Sequence, residues 1–209
     1  GADLIRDALA VAEGHNAPFA VVQCLTWLGF CYGDINSEPR SVLELAERQI
    51  QIATEHDLDT WRATGRAARQ WALLRLGDEN ARSACLRVIQ RVPNEPTVTT
   101  GYNLARGAEP LLGAGELEAA QTAVDRAFEL ADHNLGTFHL AETNRVQGRI
   151  YLGQARMDDA LVHFDTSLGI AERTGAKLNE VRTLVDLCRE FPDLKPQKDQ
   201  LAALLQACP

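Results

Sequence analysis

The stretch QGRIYLGQARMDDALVHFDTSLGIAERTG, Gln147 to Gly175, reads as two helices joined by a turn. In its second half Leu161, Phe164, Leu168 and Ala171 recur three or four residues apart, the spacing of one helix face. Five residues mark the pattern: Gly148, Tyr151, Ala160, Phe164 and Leu168. Forty residues earlier, GAEPLLGAGELEAAQTAVDRAFELADHN places Ala108, Leu111, Ala120, Val124 and Phe128 at the same points. Further back, a block ending IATEHD matches the ending IAERTG, and RQWALLRLGDENARSACLRVI fills the slot between, with Leu73 and Gly77 on its turn side. A fixed period of this size signals stacked helical hairpins.

The period divides the chain into four repeats, 18–56, 58–92, 97–133 and 137–175. A partial repeat, 2–13, precedes them, and terminal helices over 177–208 follow. The whole chain, 1–209, is thus expected to be one all-α solenoid domain. Leu4, Ile5, Ala8, Leu9 and Ala12 predict the buried stripe of the opening helix, and Val181, Leu184, Val185 and Cys188 that of 177–190. The opening helix reads as the second half of a hairpin with no polar cap before it. That leads to the expectation of a fragment of a longer protein.

Punctuation agrees with this division. Pro18, Pro39, Pro93, Pro96, Pro192 and Pro196 fall near helix ends, where proline is tolerated. Pro110 falls inside a first helix, which it should kink or shorten. Gly77, Gly115 and Gly153 are expected at the reversals between paired helices. Gly29, Ala108, Gly148, Ala120 and Ala160 supply small residues where helices cross, and Tyr32, Tyr151 and Phe164 fill the space beside them. A bulky residue at Gly148 should overpack the hairpin.

Composition narrows the function. The net charge of −8 argues against direct nucleic-acid binding. The charge is uneven: residues 1–60 hold ten acids and three arginines, and residues 61–100 three acids and seven arginines. No apolar run is long enough to span a membrane, and the N-terminal stretch lacks the basic start of a signal peptide. The five cysteines, Cys24, Cys31, Cys85, Cys188 and Cys208, are odd in number and form no C-x-x-C, so they read as core residues in a reducing cytoplasm.

The chemistry-bearing residues have structural explanations. The acid pairs Glu116/Glu118 and Asp158/Asp159 open second helices, where negative charge suits the helix dipole. His15, His56 and His133 close second helices, where a cation suits it, and none has metal-ligand spacing to a partner. His163, beside Phe164, is expected to be partly exposed. No phosphate-binding glycine motif occurs. Neither catalysis, nor a cofactor, nor a metal is expected.

Gly148, Tyr151, Ala160 and Phe164 form a small–x–x–Tyr…Ala–x–x–x–Phe pattern that resembles the tetratricopeptide repeat. Asn144 stands where that repeat usually has Trp, and the period is longer than its usual ~34 residues. RQWALLRLGD and HLAETNRVQGRIYLGQARMDDALVHFDTSLGIAERTG are similar to the tetratricopeptide-like regions of bacterial signalling ATPases, adenylate-cyclase-type proteins and large transcriptional activators. The resemblance implies a right-handed superhelix whose first helices line a concave groove. Carried over residue by residue, it assigns to that groove Trp27, Phe30, Trp71, Tyr102, Arg106, Glu109, Arg145, Arg149, Arg182 and Arg189.

Arg145 and Arg149, four apart, share a helix face and, with Arg106, Arg182 and Arg189, suggest a strip that reads carboxylates. The competing reading is that Glu109, Glu142 and Asp186 neutralise that strip. The Lys/Asn carboxylate clamp of chaperone-binding relatives is not matched, because Asn103 and Asn144 fall elsewhere on the turn. The resemblance implies a non-catalytic interaction or sensory module of a bacterial regulator, binding a protein segment, an effector or other domains of the same chain. The alternative is a free-standing adaptor bridging two partners.

Overall fold

The computed structural model describes residues 2–35, 38–90, 100–132, 137 and 139–207. Among them every regular element is helical: α1 (Ala2–Gly14), α2 (Pro18–Phe30), α3 (Pro39–Glu55), α4 (Asp59–Arg75), α5 (Glu79–Gln90), α6 (Thr100–Gly113), α7 (Leu117–Asp132), α8 (Leu140–Gly153), α9 (Met157–Thr174), α10 (Lys177–Glu190) and α11 (Lys195–Ala207). A π-helical turn, Cys31–Ile35, prolongs α2. Consecutive helices pack on one another from α1 to α5, and again from α6 to α11. The chain forms two compact units, 1–91 and 92–209. The expected all-α class holds, and α6 and α8 begin and end forty residues apart. Pro93, Pro96, His133 and Cys208 lie outside the described residues.

Six turns between helices share one construction. Each has a residue with positive φ: Asn16 (49°), Asp57 (54°), Gly77 (83°), Gly115 (80°), Ala155 (60°) and Gly175 (69°). The next residue's N–H reaches back five positions to a helix carbonyl, 17 to 12, 58 to 53, 78 to 73, 116 to 111, 156 to 151 and 176 to 171, at 2.8–3.0 Å. This is the Schellman closure, which satisfies carbonyls a helix end leaves open. At Ala17, Leu58, Arg156 and Ala176 the closing residue is also the N-cap of the following helix, and none of these four caps through its side chain. One residue therefore ends one helix and starts the next.

Gly153 does not make the reversal expected of it. Gly153 is the last residue of α8, as Gly113 is of α6, and Ala155 takes the left-handed conformation. The slot forty residues after Gly115 is Ala155, so the register and not the nearest glycine sets the turn. Pro18 and Pro39 open α2 and α3 as expected, while Pro110 lies in the last turn of α6, which continues to Gly113. That late position removes a single N–H donor from the helix.

In the first unit Leu9 and Ala12 of α1 pack with Val21, Leu25 and Leu28 of α2. Leu4, however, is 74% exposed, so the expected α1 stripe is narrower than its apolar residues suggest. Within this unit α1 packs on α2, and one neighbour buries one face. A second cluster joins Val42 with Trp71 and Ala72, and Tyr32 packs against both clusters. Buried Gln49 ties three helices: its Nε2 donates to the Trp61 carbonyl at 2.7 Å, and its Oε1 lies 3.0 Å from the Thr26 hydroxyl.

In the second unit Ala105, Ala108, Ala120, Ala123 and Ala127 are fully buried and let α6 and α7 approach closely. A Cβ on Gly148 would stand 2.9 Å from the Phe164 ring, as its expected role at a crossing requires. Gly29 has no such role, since a Cβ there would meet nothing within 4 Å. The tighter contact is one the sequence reading missed: a Cβ on Gly101 would collide with the buried His139 ring.

Candidate functional site

Helix α8 packs on α6, α7, α9 and α10, and every residue from Ala141 to Gly148 is buried. Its polar side chains must therefore find partners inside the protein. Thr143 donates to the His139 carbonyl at 3.0 Å and Asn144 to the Leu140 carbonyl at 2.9 Å. Gln147 and Gln121 of α7 exchange two amide hydrogen bonds, at 2.8 and 3.0 Å. Glu142 and Arg145 enter a six-residue ion network.

Arg145 is its centre, with a side chain only 3% exposed. Its Nε and one terminal nitrogen grip Glu142 at 3.0 and 2.8 Å. The same terminal nitrogen reaches Glu109 of α6 at 2.8 Å, and the other reaches Asp186 of α10 at 2.5 Å. Glu109 is the second hub. It also accepts from Arg149 at 2.5 Å on one oxygen and from Arg182 at 2.7 Å on the other. Arg182 lies 3.3 Å from Glu142 as well. Three guanidiniums thus face three carboxylates contributed by α6, α8 and α10.

The electrostatics follow from this pairing. Burial alone would raise the Glu109 carboxyl, but Arg145, Arg182 and Arg149 hold it well below the usual carboxylate range. Glu142 is balanced the same way, with burial opposed by Arg145 and Arg182, and is also held low. Burial would discharge Arg145, and the carboxylates of Glu142, Glu109 and Asp186 raise it well above its ordinary value instead. Glu109, Glu142 and Arg145 are therefore all charged at neutral pH.

Of the eight principal candidates, Glu109, Arg145, Arg149 and Arg182 come together. Arg145 is a buried structural cation, whereas Arg149 and Arg182 are 29% and 19% exposed. Arg106 is buried on α6, Tyr102 is half-buried on the same helix, and Arg189 is exposed in the last turn of α10. Trp71 sits in the core of the first unit, 5% exposed, rather than on a surface. Its packing on Val42 and beside Tyr32 accounts for the burial. Trp27 is exposed and stacks edge-on with Phe30, at 5.4 Å between centroids.

Glu142 and Asp186, weighed in the sequence only as counter-charges, are full members of the network. Their signal was local: Glu142 is three residues before Arg145, and Asp186 four after Arg182. His163 is half-buried, with its Nδ1 2.9 Å from Asn144 Oδ1, and burial lowers its pKa.

Among the described residues, no group of three His, Cys, Asp or Glu is placed to hold a metal, and no helix is long and apolar enough to cross a membrane. The sequence matches no protein-family model and no curated protein.

Proposed function

We propose that the chain is a non-catalytic helical-repeat module that binds a protein segment on the surface built by α6, α8 and α10. The observation that carries this reading is the asymmetry of the ion network. Arg145 is sealed inside, while Arg149 and Arg182 stand at its edge with partly exposed side chains. The forty-residue period and the repeated Schellman turns support a tetratricopeptide-like solenoid, of which these would be the groove-lining helices. The wider setting, a sensory arm of a cytoplasmic bacterial regulator, is supported by the sequence resemblance. In such an arm binding would act through differential affinity for two states.

A second reading, an adaptor bridging two partners, is favoured by the two compact units. Each offers its own surface, with exposed Trp27 on the first and the two arginines on the second.

Peptide display against the 209-residue chain tests both. Selected peptides should perturb amide resonances of α6, α8 and α10 saturably. Binding confined to the first unit, or no selected peptide at all, would defeat the main reading. Two non-competing peptide classes, one per unit, would favour the adaptor.

A further inference from the structure

We infer that Arg149 and Arg182 form a preorganised clamp for an oxyanion, a carboxylate or phosphate carried by a peptide partner. A guanidinium has five N–H donors. Arg149 uses one terminal nitrogen, on Glu109, and Arg182 uses one terminal nitrogen, on Glu109 and Glu142. Among the described residues, no other acceptor bonds either side chain. Each therefore keeps its Nε and a second terminal nitrogen unused, on side chains 29% and 19% exposed. Arg145 has no such reserve, because its Nε and both terminal nitrogens are engaged and it is 3% exposed.

Geometry makes the two arginines a pair. They bond opposite oxygens of one carboxylate, Arg149 on Oε1 and Arg182 on Oε2 of Glu109. That shared anchor sets their spacing and restrains their rotamers before any ligand arrives, which reduces the ordering cost of binding. It also fixes what the site prefers. The three arginines and three carboxylates of the network cancel, so long-range attraction is weak. Selectivity must come from the fork geometry, which suits two-oxygen acceptors and not a spherical anion. The sequence pairing of Arg145 with Arg149 is replaced by Arg149 with Arg182.

This rests on the partner surface proposed above, and the test separates the two. Arginine Nε–Hε resonances of the 15N-labelled chain are followed during titration with sodium acetate and with sodium phosphate, against sodium chloride at equal ionic strength. The expected result is a saturable shift of the Arg149 and Arg182 signals with acetate or phosphate, a stationary Arg145 signal and no saturable shift with chloride. The stronger of the two anions identifies the group. Arg149→Lys and Arg182→Lys keep the charge, lose the fork, and should each weaken anion binding roughly tenfold, the loss of one charge-assisted bond. If either variant unfolds, the wild-type titration still decides. Identical responses to acetate, phosphate and chloride would overturn the clamp, as would selected peptides that bind equally well after their acidic groups are amidated. Saturable anion binding with no selected peptide would keep the clamp and defeat the partner surface.

Discussion

Glu109 of α6 and Arg149 of α8 stand forty residues apart, ten residues into helices that begin forty residues apart, and their side chains meet at 2.5 Å. The packing of α6 on α8 turns a sequence offset into a contact. Arg182 closes the same carboxylate from α10 at 2.7 Å. The pairing therefore binds α6, α8 and α10 together through one acidic group.

Replacing that group should be costly. Glu109→Ala leaves three guanidiniums with two carboxylates in a largely dry site, and should lower stability by about 3–5 kcal/mol. Arg149→Ala removes a partly exposed partner and should cost roughly 1 kcal/mol or less. Urea unfolding of both variants, followed by far-ultraviolet circular dichroism, checks the ranking. Equal losses would mean that the network is not organised around Glu109.

The same carboxylates predict acid sensitivity. Glu109 and Glu142 are held below the ordinary glutamate value of 4.5, so in this range the unfolded chain binds more protons than the folded one. Their stabilisation is fully present above the unfolded value and is lost progressively as pH falls below it. Thermal melts between pH 6 and pH 3 should show this decline, and Glu109→Gln should flatten it.

His163 predicts a second, milder dependence. Burial lowers its pKa below 6.5, opposed by Asp159, while Arg156 lowers it further. Its unfolded form is protonated first as pH falls, so its contribution is complete above about 6.5 and declines below. The imidazole Cε1–H signal should titrate below the free-histidine value. His163→Gln should remove that segment of the stability profile, whereas a normal titration would contradict the burial argument.

Ala155 carries a positive φ of 60° at a turn position filled by glycine at Gly77, Gly115 and Gly175. A left-handed conformation costs a Cβ-bearing residue about 1–2 kcal/mol, and the extra freedom of glycine in the unfolded chain offsets part of that. Ala155→Gly should stabilise by about 0.5–1 kcal/mol, and Gly115→Ala should destabilise by about 1 kcal/mol. Melting temperatures moving in the same direction for both would rule out the strain.

Gly101 and His139 predict a coupling. Gly101→Ala drives a methyl into the His139 ring and should cost about 1–3 kcal/mol. In the His139→Ala background the same change should cost much less. A double-mutant cycle on urea midpoints reads the difference.

The sequence yielded the helices because their period is local: the endings of α6 and α8, and the Gly148–Phe164 contact, follow from a forty-residue ruler. It brought Glu109 and Arg149 together for the same reason, because they stand one period apart. It misjudged Trp71 and Arg145 because exposure depends on how many helices surround a position. The helical pattern of α8 alternates like that of a half-exposed helix, yet other helices cover its polar face. Gly101 and His139 are separated by most of a hairpin, and no local pattern announces a contact between a glycine and a ring. Ala155 gives no sequence signal because glycine is the usual marker of a left-handed turn residue, whereas here the position forty residues after Gly115 keeps the conformation without the glycine.

Helix α8 is enclosed on all sides from Ala141 to Gly148, and this limits how the second unit can be divided. A cut between α7 and α8 separates Arg145 from Glu109, and a cut before α10 separates it from Asp186. Either piece would carry a buried arginine short of a counter-charge. The smallest fragment that keeps the guanidinium satisfied runs from α6 through α10, so a single hairpin lifted from this unit as a building block would bring an unmet charge with it.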